Sequence, residues 1–155
     1  MQTTTGKLPQ LLMIALAAGC LFACGDPPAP PEQALRAWVA EGQQRVEAKD
    51  RSGLMEMIAD EYADARGNDR DAIEQMFRLY FLRANDIELL TSIEDVRVFG
   101  DSAGEIDLKV GMAVTHDGVL GFSADAYNFE LELVRDGDHW LLIAGRWGET
   151  GEEIR

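Results

Sequence analysis

At Asn85-Asp86 the spacing of apolar residues changes from three or four to two, and this change confines the chain to helices first and a sheet after. Before it, Leu35, Trp38, Val39, Gly42 and Val46 form one stripe of a helix predicted from Glu32, with Pro31 suited to its first turn. Arg36, Glu41, Gln43 and Glu47 lie off that stripe. Asp50-Arg51-Ser52-Gly53 reads as a break, and a short helix is expected over 54–59. A third helix has Asn68 as its expected N-cap, Asp69 and Asp71 in its first turn, and Arg78 and Arg83 towards its end, matching the helix dipole. Ile73, Met76, Phe77, Tyr80 and Phe81 make its broad apolar face. Leu79 and Leu82 fall outside that face, so this helix is expected to be central or covered.

Beyond the switch, Ile87, Leu89, Thr91 and Ile93 alternate on odd positions and Val96 and Val98 on even ones, which predicts a bulge near Glu94-Asp95. Ile106, Leu108, Val110, Met112 and Val114 alternate with Glu105, Asp107 and Lys109; Asp117-Gly118 and Asp136-Gly137 are hairpin-turn signals. Tyr127, Phe129, Leu131 and Leu133 share one face of a third strand, and Trp140 to Trp147 form the fourth. The fold class is α+β: three N-terminal helices packed on one face of a curved, antiparallel, four-stranded meander.

The first 23 residues stand apart. They hold Lys7, no acidic residue, and an apolar run from Leu11 to Ala23 that is shorter than the ~20 residues a spanning helix needs. That is the layout of a secretory signal peptide. Leu21-Phe22-Ala23-Cys24 resembles a bacterial lipobox, which implies cleavage before Cys24 and lipidation of that residue. A secreted protein cut after Ala23, or an uncleaved anchor, are the alternatives. The expected organisation is a signal peptide over 1–23, a lipidated Cys24 with a proline-rich tether over 24–31, a domain over 32–148 and an acidic tail over 149–155. Cys20 leaves with the signal, so no disulfide is expected. Gly25 follows the cysteine where enterobacterial lipoproteins retained at the inner membrane carry Asp, so a periplasm-facing, outer-membrane protein is favoured. The chain has 28 acidic against 14 basic residues; losing Lys7 makes its net charge of −14 one unit more negative. Such a field disfavours nucleic acid as a partner and leaves membrane contact to the lipid.

Ile58-Ala59-Asp60-Glu61-Tyr62, Gly67-Asn68-Asp69-Arg70-Asp71-Ala72-Ile73 and Arg135-Asp136-Gly137-Asp138-His139-Trp140-Leu141-Leu142-Ile143, set in three helices and a meander, resemble the nuclear transport factor 2-like superfamily. This is also called the cystatin-like cone and includes ketosteroid isomerase-like and SnoaL-like proteins. The resemblance spans about Glu32 to Gly148. It implies a cone between helices and sheet, acid–base residues inside it where a member is an enzyme, and dimers through the outer face of the sheet.

Two carboxylates are candidate acid–base groups. Asp64 falls near the isomerase base, although Ala63-Asp64-Ala65 stands where Glu-Asp-Pro is usual and no tyrosine lies on the first helix. Asp125 shares strand parity with Tyr127, Phe129 and Leu131, or sits on a solvated strand start. His116 and His139 flank turns at opposite ends of one strand, roughly 45 Å apart at ~3.3 Å per residue, so no shared metal site is expected, and no cofactor motif appears. Trp38, Tyr62, Tyr80 and Tyr127 are the candidate pocket residues, with Phe77 and Trp147 beside them as pocket or core. The favoured function is a non-enzymatic module that binds a small apolar ligand in the cone or an envelope protein. The alternatives are a small isomerase, dehydratase or hydrolase using Asp64 or Asp125, and a structural lipoprotein with no pocket.

Overall fold

The structure, a computed structural model, describes residues 29–115, 122–152 and 154. The signal segment, Cys24, His116 and the Asp117-Gly118 turn lie outside the described residues. Among the described residues, helices α1 (Pro31–Glu47), α2 (Arg51–Glu56) and α3 (Arg70–Arg83) precede strands β1 (Asp86–Phe99), β2 (Ala103–Thr115), β3 (Phe122–Asp136) and β4 (His139–Glu149). The strands form one sheet in the order β1-β2-β3-β4, each pair antiparallel.

Alternation carries the sheet. Ile87, Ile106, Leu108, Val114 and Leu133 are buried on its inner face, and the β1 register slips between Ile93 and Asp95, where the change of parity predicts a bulge. A second slip occurs in the β3–β4 pairing after Glu132. Leu35 and Val39 of α1 pack on Ile106, Leu108, Leu133 and Trp140 as the main core. Gly104 permits this approach: a Cβ there would stand 2.6 Å from Leu35 Cδ1, and Leu35 is fully buried. On the outer face, Arg97 joins Asp95, Glu105 and Asp107 across β1 and β2 at 2.6 to 2.8 Å.

Three local expectations are corrected. Helix α2 starts at Arg51 and ends at Glu56, because Asp50 is a cap and not a breaker: its carboxylate accepts from the Gly53 amide at 2.9 Å. Residues 57–65 then run beside β4. The Ala59 amide donates to the Leu142 carbonyl, the Leu142 amide to Met57, Ala63 to Ile143 and Ala65 to Gly145, so this sheet edge is covered. The cap of α3 is Asp69, whose side chain accepts from the Ala72 amide, while Asn68 is bound to Asp64.

The third correction concerns the surroundings of α3. No residue of this helix is buried, and Leu79 and Leu82 are 54% and 74% exposed, uncovered among the described residues. It is fastened mainly at its ends. Arg70 donates to the carbonyls of Met55 and Ile58, and Lys49 donates to those of Ala84 and Asn85. Between these ties Ile73 and Phe77 pack on Met55, Ile58 and Tyr62, and Tyr80 and Phe81 on Ala84, Ile87 and Val114, while the rest of the inner face borders space. Among the described residues no helix is long and apolar enough to cross a membrane.

Candidate functional site

The space under α3 is a cavity of about 450 Å³ between the helices and the inner face of the sheet. Strand alternation supplies its floor: Leu108, Val110 and Met112 from β2, and Tyr127, Phe129 and Leu131 from β3. Trp38, Gly42, Gln43 and Val46 from α1 form one wall, and Ile73, Met76, Phe77, Tyr80 and Phe81 from α3 form the roof. Ile58 and Tyr62 enter from the segment beside β4, with Leu142, Gly145 and Trp147 from β4 itself.

Trp38, Tyr62, Tyr80 and Tyr127 thus line one cavity, with Phe77 and Trp147. Tyr127, Phe129 and Trp147 make a cluster with ring centroids 6.2 to 6.3 Å apart, Phe129 and Trp147 nearly parallel. Outside it, the Arg66 guanidinium lies 3.6 Å over the Trp147 ring and donates to the Trp147 carbonyl at 2.9 Å.

The cavity's polar groups differ in what they have to spare. Gln43 is committed: its amide donates to the Leu89 carbonyl and to Glu47, and its oxygen accepts from the Thr91 hydroxyl at 2.8 Å. The Tyr80 hydroxyl donates to Met112 Sδ at 3.1 Å. Trp38 Nε1 is buried without a hydrogen-bond partner among the described residues. All three tyrosines of the chain are displaced upwards in pKa, each chiefly because burial disfavours the phenolate. Tyr62 is pushed furthest, to about 12, with the Asp64 charge adding to burial. Asp125 adds its charge to Tyr80 and Tyr127.

Asp64 has a structural occupation. It is buried, and its carboxylate accepts from the Arg66 amide at 2.9 Å, the Asn68 amide at 2.8 Å and Asn68 Nδ2 at 2.7 Å. These bonds close the 64–68 loop, in which Gly67 takes φ +83°. Asp64 is outside the cavity wall. Asp125 pairs with Met112 in register and is solvent-exposed, so it stands at an open end of the Tyr127 face. His139 is exposed beside its turn. Among the described residues no group of three or more His, Cys, Asp or Glu side chains is placed to hold a metal ion. Gln43, Thr91 and Met112 line the cavity unforeseen; Gln43 lies off the apolar stripe of α1, and its i,i+4 partner Glu47 was the available signal.

Three helices roofing an antiparallel meander over an open apolar space define a cone of the α+β class. No protein-family description matches the chain, and no curated protein does. Solved structures do. A candidate scytalone dehydratase from Novosphingobium aromaticivorans superposes with a TM-score of 0.69 at 10% identity, over 79% of this chain and 88% of that one. A candidate dehydratase of the NTF2-like family from Streptomyces avermitilis gives 0.66 at 12% identity, over 77% and 96%. A ketosteroid isomerase-like protein from Erwinia carotovora atroseptica gives 0.63 at 9% identity, over 78% and 97%. The fold is that of the nuclear transport factor 2-like superfamily; identities this low carry the fold alone.

Proposed function

We propose that the chain is a binding module that takes up one small, mostly apolar molecule in the cone, carried at the periplasmic side of a membrane by a lipid on Cys24. The observation that carries the reading is the cavity wall: about 450 Å³ bordered mostly by apolar and aromatic side chains, with no Asp, Glu, His, Lys or Arg lining it among the described residues. That volume falls within the roughly 300–1,000 Å³ of small-molecule sites. Acid–base catalysis needs a titratable group within hydrogen-bond reach of the reacting atom, and Asp64 spends its carboxylate on its own loop. The anchor is supported by Leu21-Phe22-Ala23-Cys24 and by the prolines at 27, 28, 30 and 31.

Mass spectrometry of the membrane-extracted chain tests both parts. Under native conditions a small-molecule mass that disappears on denaturation is expected; a bare chain refutes the cavity reading. The denatured mass should begin at a lipidated Cys24. A Cys24→Ser chain that is still processed and membrane-bound refutes the anchor.

A second reading has one observation in its favour. Asp125 stands exposed at an open end of the Tyr127 face, beside the cavity that Tyr80 and Tyr127 line, a position from which a carboxylate could serve an isomerase or dehydratase as acid–base. Turnover of the bound molecule by the natural chain, abolished in Asp125→Asn, would establish it; turnover retained in Asp125→Asn removes it.

A further inference from the structure

We infer that the cone recognises an uncharged, mostly apolar molecule by one oxygen, which pairs with the hydroxyl of Tyr62 on the floor of the cavity. This deepens the binding-module reading and rests on it. Tyr62 lines the cavity, and the residue is 5% exposed. Gly145 fixes where its hydroxyl lies: a Cβ built there would stand 3.5 Å from the phenol oxygen and 3.6 Å from Leu131 Cδ2. Gly145 and Leu131 pair across β4 and β3, and both line the cavity. The hydroxyl therefore sits over the inner face of the sheet, where the missing glycine side chain leaves it uncovered.

Among the described residues no hydrogen bond engages this hydroxyl; burial and the Asp64 charge are what act on it. Trp38 Nε1 is also unpartnered but is walled in by protein atoms, and the Tyr62 hydroxyl is not. The other polar groups of the wall have less to give. Gln43 and Thr91 bond each other, and Tyr80 donates to Met112 Sδ. Tyr127 is only half-buried, beside exposed Asp125. With its pKa pushed up to about 12, Tyr62 stays a neutral hydroxyl, able to donate and to accept, at any ordinary pH. A hydrocarbon seated against it would leave a buried phenol unpaired, and a guest oxygen removes that cost. Charge narrows the guest further: either sign would lose its hydration against a wall without Asp, Glu, His, Lys or Arg among the described residues.

Two naphthalenes of the same shape separate the cases, using the full chain in lipid nanodiscs with empty nanodiscs as the partition reference. 2-Acetylnaphthalene and 2-isopropenylnaphthalene differ only by a carbonyl oxygen in place of a methylene group; 2-naphthoate and 2-(aminomethyl)naphthalene add the two charges. Bound to the natural chain, the isotope-labelled carbonyl carbon of 2-acetylnaphthalene should resonate downfield of its position in alkane, a readout that needs no variant. Tyr62→Phe should return it towards that position and weaken 2-acetylnaphthalene about tenfold, the worth of one buried hydrogen bond, leaving 2-isopropenylnaphthalene within about twofold. An unshifted carbonyl in the natural chain, a shift that survives Tyr62→Phe, equal losses for the two neutral probes, or tighter binding of either charged probe overturns the inference while the cavity still binds. If neither neutral probe binds, the binding-module reading falls and this inference with it.

Discussion

Raising the pH addresses the cone directly, because every tyrosine in the chain lines it. In the unfolded chain a phenol ionises near pH 10. In the fold all three are held above that, and Tyr62 reaches about 12. A folded pKa above the unfolded one means that the native state keeps its proton longer. The stabilisation is complete below pH ~10 and is lost as the pH climbs to about 12. For Tyr62, which is 5% exposed, a rise of about two units corresponds to ~2.7 kcal/mol at ~1.36 kcal/mol per unit. The assay is phenolate absorbance near the ultraviolet edge, recorded against pH with and without denaturant, beside urea melts at pH 9 and 11. The native curve should lie wholly to the alkaline side of the denatured one, with its last step lost in Tyr62→Phe. Asp64→Asn should draw that step part of the way back, since the Asp64 charge is the second cause of the shift. Two or more phenols titrating at the denatured midpoint would refute the reasoning, because the cavity would then be wet.

Other expectations concern the scaffold. Gly104→Val should drive a side chain into fully buried Leu35 and lower stability by about 1–3 kcal/mol in urea melts. Asp64→Ala removes three hydrogen bonds from the 64–68 loop; a loss of about 1–3 kcal/mol is expected, with probe affinity in the cone unchanged. Asp107 is held below the usual carboxylate range, first by its hydrogen bonds from Arg97. Its contribution is therefore present above the ordinary carboxylate pKa and lost as the pH falls through the depressed one. Arg97→Met should narrow the difference in melting temperature between pH 7 and pH 3, a small effect because the network is partly open to solvent.

The bulge in β1 was legible because strand parity is binary: a change from odd to even apolar positions has to be absorbed by an extra residue, and the slip at Ile93/Asp95 absorbs it, whereas the slip after Glu132 in the β3–β4 pairing was not foreseen. Pocket aromatics were legible for a related reason, since side chains on one face of β3 and one stripe of α1 meet the same space. The short polar stretches were harder. Asp50 and Asn68 carry chemistry equally suited to ending a helix, capping the next or tying a loop, and the choice was made by distant geometry. Whether the space between α1, α3 and the sheet is filled or open depends on helix offset, which no periodicity encodes.

Helix α3 shows what that openness costs and permits. Its outer leucines meet solvent and its inner aromatics border the cavity; Ile73, Phe77, Tyr80 and Phe81 pack on two small core clusters, yet no residue of the helix is buried, so it is held less closely than a helix of this length normally is. A guest molecule would complete a core that the chain leaves unfinished. Order in this helix then becomes a gauge of occupancy: amide hydrogens of α3 should exchange sooner than those of α1 when the cone is empty, and the gap should close as it fills.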